Sequence, residues 1–237
     1  MHVLYEDNHL LVVDKPAGVA TMGADGGRPT VYSWAADYLK HKYNKPGNVF
    51  VGIVSRLDQF TSGVLVLART SKAASRLSDQ FRKRAPRKTY LAVLEGALDG
   101  ERYEWTDHVR KDDAAHRMRC VSPRTAEAQE ARLRLNVLQT QADRTLVSIE
   151  LLTGRKHQIR VQASSRGHAV WGDRKYGATS RMPEGIALHS HSLQINHPTR
   201  REPMQFQSPP SKTWRALGFD PSVFSAAHLE SHDRQHE

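Results

Sequence analysis

Nine residues, Ser55-Arg-Leu-Asp-Gln-Phe-Thr-Ser-Gly63, hold a carboxylate and a guanidinium two positions apart between two apolar runs. Asp58 has the chemistry of a nucleophile, a base or a stabiliser of developing positive charge. Arg56 can neutralise that carboxylate or meet an anion. The upstream run is Val49-Phe-Val-Gly-Ile-Val54 and the downstream run is Val64-Leu-Val-Leu-Ala68. Both have the length and the aliphatic, β-branched content of buried strands. The stretch therefore reads as a short polar loop mounted on rigid strands, a suitable place for a reactive group. The plainer reading is a structural Arg56–Asp58 pair that closes the turn.

The charge balance narrows the partners. The 237 residues carry 35 Lys plus Arg against 25 Asp plus Glu, a formal charge of +10 and a pI near 9.9. That favours a polyanion, nucleic acid first and an anionic membrane surface second. A hydrophobic share of 38% and a charged share of 25% allow a globular core. The single cysteine, Cys120, excludes an internal disulfide and suits a reducing compartment. No apolar stretch reaches the roughly 20 residues of a membrane helix. The opening Met-His-Val-Leu-Tyr-Glu-Asp is not a signal peptide. A soluble, cytoplasmic monomer with no membrane partner is expected.

The elements that must position the loop can be read in order. Residues 3–5 and 10–13 form a strand pair, broken by Lys15-Pro-Ala-Gly18. Val31, Trp34, Ala35, Tyr38 and Leu39 mark one face of a helix capped by Thr30. Thr70-Ser71 starts a second helix near 71–83, with Ala74, Leu77 and Phe81 buried. Its end is basic: Arg82, Lys83, Arg84, Arg87 and Lys88. These residues suit either a solvated helix C-terminus or a phosphate-contacting patch. Residues 88–94 form a strand with Tyr90, Ala92 and Leu94 on one face.

Residues 97–127 are polar and basic, with Arg110, Lys111, His116, Arg117, Arg119 and Arg124; short strands and a positively charged loop are expected there. Ala131 to Val137 and Thr145 to Leu152 read as an antiparallel pair. A helix holding Ile159 and Ala163 comes after Thr153-Gly154 and stops at Gly167. Ala187 to Ile195 is a strand, with Met204-Gln-Phe206 as its hairpin partner. His189 and His191 share a strand face, but no third ligand stands at a suitable spacing, so no metal is expected. Residues 225–237 are polar and His-rich and read as a flexible tail after a domain spanning 1–224.

Three separated segments, with the opening strand pair, resemble the RluA-type pseudouridine synthases. Arg56-Leu57-Asp58 followed by Thr61-Ser62-Gly63 is similar to that family's His-Arg-Leu-Asp-x-x-Thr-Ser-Gly. Lys88-Thr89-Tyr90 is similar to its Lys-x-Tyr. Thr153-Gly-Arg-Lys-His-Gln-Ile-Arg160 resembles its Thr-Gly-Arg-x-His-Gln-Ile-Arg run. Gly167-His168, Gly172-Asp173 and Tyr176-Gly177 resemble its Gly-His, Gly-Asp and Tyr-Gly pairs downstream of that run. The likeness covers roughly residues 3 to 210, and the order and spacing of the motifs make it specific. Ser55, Gln59, Lys156 and Gln162 depart from the usual residues, which bears on substrate choice. The chain begins at the first strand of the catalytic domain, so the small RNA-binding domain of many relatives is expected to be absent.

The resemblance implies an α+β fold with a mixed, largely antiparallel central sheet, flanking helices and loops, and a central cleft. It implies isomerisation of uridine to pseudouridine in ribosomal or transfer RNA, on a flipped-out nucleotide. Nothing is oxidised, so neither a redox cofactor nor a metal is implied. Asp58 would attack C1′ or assist proton loss from C2′, with Arg160 as its ion-pair partner. Tyr90 would stack on the uracil or take the C5 proton, and Ile159 would pack on the other side of the base. Arg56 would fill the space left by the flipped base. Arg155, His157, Arg82, Lys83, Arg84, Arg87 and Lys88 would bind substrate RNA. The competing readings are an RNA-binding module of the same fold that has lost catalysis, and a glycosidase. The latter normally needs a second placed carboxylate, and none stands beside Asp58.

Overall fold

The computed structural model describes residues 1–23 and 25–224; the tail expected at 225–237 lies outside the described residues. The chain divides into two compact units, Met1–Arg87 with Ser190–Ser208, and Lys88–His189 with the described residues from Pro209 to Phe224. The expected α+β class is observed: the described residues form three α-helices and eleven strands, with largely antiparallel pairing.

The first unit is built on β1 (His2–Glu6), β2 (Leu10–Lys15) and β4 (Ser62–Ala68). β2 pairs antiparallel with both β1 and β4, and its last residue, Lys15, lies opposite Gly63. That register brings the end of β2 to the start of β4, the end from which the Asp58 loop emerges. Helix α1 (Val31–Lys42) starts in a capping box, Thr30 with Ser33, and α2 (Ser71–Arg82) starts at Thr70, as the sequence pattern requires. Ala73 and Leu77 of α2 pack on Leu10, Val12, Val64 and Val66. The hairpin of β10 (Leu188–Asn196) and β11 (Pro203–Gln207) adds Leu193, Ile195 and Phe206 to the same core.

The strand expected over Val49–Val54 is reduced to β3, Gly52–Ile53. Phe50 stays exposed, and a Cβ at Gly52 would lie 2.8 Å from the Ala74 Cβ. The apolar run therefore meets α2 at close range over two residues instead of pairing along its length. Gly63 is under a stricter constraint: its φ is 107°, and a Cβ there would come within 2.2 Å of the Ser190 carbonyl oxygen. Gly63→Ala is expected to cost about 3 kcal/mol or more, from backbone strain and overpacking together. A denaturant midpoint unchanged from the parent protein would refute this.

The second unit is an antiparallel succession of β5 (Arg87–Glu95, from Lys88 on), β9 (Arg144–Leu151), β8 (Gln129–Thr140), β6 (Arg102–Asp112) and β7 (Arg117–Val121). Leu91, Val93 and Leu146 pack under Trp214, Leu217 and Phe219. The segment expected as short strands and loop instead contains the eleven-residue β6. Only Trp105 and Val109 of that strand are buried, so its apolar alternation is too sparse to read from sequence. Helix α3 is Gln158–Ser164 and packs Val161 against Val109, Met118 and Ala131. Among the described residues no helix is long and apolar enough to cross a membrane.

Candidate active site

Asp58 sits in the first unit, partly exposed, on a loop that is fastened through the backbone on either side of it. Before it, the Leu57 carbonyl accepts from the Thr21 hydroxyl at 2.9 Å, and the Leu57 amide donates back at 3.2 Å. After it, the Gln59 carbonyl accepts from the Gly18 amide at 2.9 Å and from Lys15 Nζ at 3.0 Å. The Thr61 amide closes the loop on the Asp58 carbonyl at 3.1 Å. Leu57 is buried while Arg56 is exposed and, among the described residues, forms no ion pair. An Arg56–Asp58 pair is thus not what holds the turn.

In the sequence Lys15 is no more than the end of a strand, yet it is one of the largest fully buried side chains in the protein. Its three ammonium protons meet three carbonyl oxygens, of Pro16 at 2.9 Å, Val19 at 2.7 Å and Gln59 at 3.0 Å. Burial pulls its amine down to about 7, against the opposing pull of Asp58 and Asp14. The opening loop and the Asp58 loop therefore share one buried cation. Lys15→Met would leave three carbonyls without that donor, and about 1–3 kcal/mol is expected for each that stays unsatisfied. The pH dependence has a definite sign. Lys15 releases its proton more readily folded than unfolded, so between pH 7 and the ordinary lysine value of 10.5 the unfolded chain binds more protons. Stability of the parent relative to Lys15→Met should rise with pH across that window; paired thermal melts giving a flat or falling difference would refute it.

In the second unit, the Thr153–Arg160 motif is a turn leading into α3. The Gln158 side-chain oxygen accepts from the Thr153 hydroxyl at 2.8 Å and from the Arg155 amide at 3.0 Å. Its amide nitrogen donates to the Arg132 carbonyl at 3.0 Å. One glutamine thus ties the turn to β8, which explains the Thr-to-Gln spacing. His157 enters the helix in the left-handed region, at φ 53°. Its Nδ1 lies 2.8 Å from the Tyr176 hydroxyl.

Arg160 is buried and forms a two-pronged ion pair with Asp173, Nε to Oδ2 at 2.6 Å and a terminal nitrogen to Oδ1 at 2.9 Å. Its guanidinium also lies 4.9 Å from the centre of the Tyr176 ring. Asp173 begins a short 3-10 turn, Arg174–Tyr176, whose Tyr176 carbonyl accepts from the α3 hydroxyl of Ser164 at 2.6 Å. The Gly-Asp and Tyr-Gly pieces of the motif are therefore the clamp on Arg160. The sequence marks Asp173 and Tyr176 as part of a pattern but assigns neither a role.

The remaining expected site residues fall into distinct settings. Tyr90 and Ile159 are buried, on β5 and α3. Arg155 donates through Nε to the Glu130 carbonyl at 2.8 Å. Lys88 lies beside Gly154, where an added Cβ would sit 3.4 Å from its Nζ. Arg82, Lys83, Arg84 and Arg87 are exposed at and beyond the α2 C-terminus in the first unit, and Arg82 pairs with Asp79 at 2.6 Å. Gln162, where the family usually has His, is fully buried; its amide nitrogen meets Asp107 at 2.7 Å and the Ala131 carbonyl at 3.1 Å. It is a packing residue in this setting. His189 and His191 are buried, and no cluster of metal-ligating side chains occurs among the described residues.

A family model described as RNA pseudouridylate synthase matches residues 9–165. The chain belongs to that family. It is 34% identical over 218 residues to the dual-specificity RNA pseudouridine synthase RluA of Haemophilus ducreyi, covering 88% of this chain and 92% of the relative. It is 35% identical over 212 residues to the RNA pseudouridine synthase YhcT of Bacillus subtilis, covering 88% and 68%. Among solved structures, human RNA pseudouridylate synthase domain containing 1 aligns with a TM-score of 0.76 at 25% identity, over 99% of this chain and 94% of that one. The enzyme is accordingly an RNA pseudouridine synthase, an intramolecular isomerase.

Proposed function

We propose that the enzyme isomerises a uridine in structured ribosomal or transfer RNA, with Asp58 as the reacting carboxylate on a flipped-out nucleotide. The observation that carries this reading is the fastening of the Asp58 loop, by Thr21 before the carboxylate and by Gly18 and Lys15 after it. A nucleophile needs a fixed backbone and a side chain that substrate can reach. Cleavage of the N-glycosidic bond builds positive charge on the ribose, which an ionised carboxylate can capture or stabilise. Arg160, held by Asp173, is the cation of the reaction centre. Tyr90 meets the uracil and Ile159 packs against it. A stacked uridine cannot reach such groups, so the nucleotide leaves the stack and exposed Arg56 takes its place.

The family likeness supports the reaction class, and one relative's name, ribosomal large subunit pseudouridine synthase C of Vibrio cholerae, supports ribosomal RNA as the first substrate to try. Pseudouridine mapping of cellular RNA, with the protein present and removed, tests the assignment. A uridine in ribosomal or transfer RNA that loses modification only when the protein is removed is the expected result. Unchanged maps of both RNA classes would refute the substrate assignment.

A further inference from the structure

The β6–β7 hairpin continues past the sheet that carries it. β8 meets β6 only as far as Val109, opposite Gln129. Three more cross-strand pairs extend beyond it, Arg110 with Arg119, Lys111 with Met118 and Asp112 with Arg117, before the turn that leads back through His116. Residues directly opposite in an antiparallel pair point to the same face, so Arg110 and Arg119 stand side by side. Like charges in that position cost stability unless something neutralises them. Among the described residues no carboxylate stands within ion-pair distance of either one; Asp113, which is bonded to Lys111, feels the charge of Arg110 from further off, and the buried Arg110 Nε has no hydrogen-bond partner. The neighbouring Lys111 is different, because it is paired with Asp113. On the same face of the sheet, Arg132 and Arg134 are also different, since Glu104 takes both at 2.9 and 3.3 Å.

The ribbon is also joined to groups of the candidate site. Met118 on β7 donates its amide to the Tyr176 hydroxyl at 2.9 Å. That same hydroxyl meets His157, and the same ring faces Arg160. The ribbon is thus anchored on the turn that fixes Arg160. Protection of an edge strand is the obvious alternative use of arginine, since β7 ends the strand order of this unit. Beyond Val109 both strands of the ribbon are open edges, so the test below separates this use from phosphate binding.

We propose that the β6–β7 ribbon is an RNA-gripping arm, in which Arg110 and Arg119 together bind phosphates of the substrate RNA away from the reacting uridine. The proposal rests on the reading of RNA as substrate and names a surface that docks it. A phosphate between two adjacent guanidiniums relieves their repulsion and receives charge-assisted hydrogen bonds from both. A two-stranded ribbon is also narrow enough to follow a nucleic-acid backbone or groove.

The test uses the full chain and an unmodified transcript of large-subunit ribosomal RNA as probe. Affinity is measured across a salt series for the parent, Arg110→Gln/Arg119→Gln, Arg110→Lys/Arg119→Lys and Arg132→Gln/Arg134→Gln. Each phosphate contact contributes roughly 0.7–0.9 to the slope of log affinity against log salt, so the first variant should lose about 1.4–1.8. Its KM for RNA should rise in step. The lysine variant should keep most of the slope. The Arg132/Arg134 variant, with the same change in formal charge, should keep all of it. An unchanged slope in the Arg110/Arg119 variant, or an equal loss in the Arg132/Arg134 variant, overturns the proposal. Self-association of the Arg110/Arg119 variant with an unchanged slope overturns it in favour of edge protection. Thermal melts verify that each variant is folded. Failure of the substrate reading looks different: the pseudouridine maps of ribosomal and transfer RNA would not change on removal of the protein, whatever the slopes.

Discussion

Asp58→Ala and Asp58→Asn should each lower pseudouridine formation by at least ~10⁴-fold, the order of loss when a nucleophile is removed from a catalytic unit. RNA affinity should stay within roughly threefold, which is under about 1 kcal/mol. The separation is expected because the loop is fastened through Leu57 and Gln59, whose partners are Thr21, Gly18 and Lys15. Truncating the carboxylate leaves those bonds in place. Asp58→Asn keeps the shape and loses the charge, so it isolates the chemistry from the packing. Chemical mapping of pseudouridine in a single-turnover reaction, alongside a binding titration, gives both quantities. Pseudouridine formed by the Asp58→Ala protein at a rate near that of the parent would eliminate Asp58 as the reacting group.

Asp173→Ala is expected to destabilise the second unit by about 3–5 kcal/mol, because it removes the carboxylate that holds a buried guanidinium through two hydrogen bonds. Arg160→Ala strands the carboxylate instead and should cost a similar amount. Either variant alone would confuse a folding defect with a catalytic one. The pair Arg160→Met/Asp173→Leu removes both charges and fills the space with apolar side chains, a change that is often neutral for stability. Its unfolding midpoint should return toward that of the parent while pseudouridine formation stays abolished. Recovery of activity along with stability would show that Arg160 serves only the fold. Retained activity in a well-folded Arg160→Ala protein would lead to the same conclusion.

Local pattern and tertiary context contribute differently from place to place. The caps at Thr30 and Thr70 are visible because a hydroxyl before a 3.6-residue apolar rhythm has a local meaning. Strands β2 and β4 are visible because unbroken aliphatic runs between polar breaks have few other uses. The run at Val49–Val54 has the same composition and is mostly not strand, since the close approach of Ala74 at Gly52 cannot be seen in a window of six residues. The length of β6 is hidden for the opposite reason. Its outward face carries Arg102, Glu104, Thr106 and Arg110, and its inward face is polar in places too. A strand that is half solvated and charged resembles a loop in composition.

Residue types and their spacing carry the order of the motifs and the family they belong to, and they single out Asp58, Tyr90 and Arg160 as the groups proposed for the chemistry. Those depend on residue types at fixed spacing, which the chain states directly. What holds them is visible only in the folded chain. Lys15 and Gln59 are 44 positions apart, Arg160 and Asp173 are 13 apart, and Met118 and Tyr176 are 58 apart. Each contact needs the backbone to bring two polar groups together away from water, where an unpaired charge or amide is costly and a paired one is held firmly. No local rule predicts which partner arrives. The loop around Asp58, met first as a carboxylate beside an arginine, owes its rigidity to a buried lysine that in the sequence is only the end of a strand.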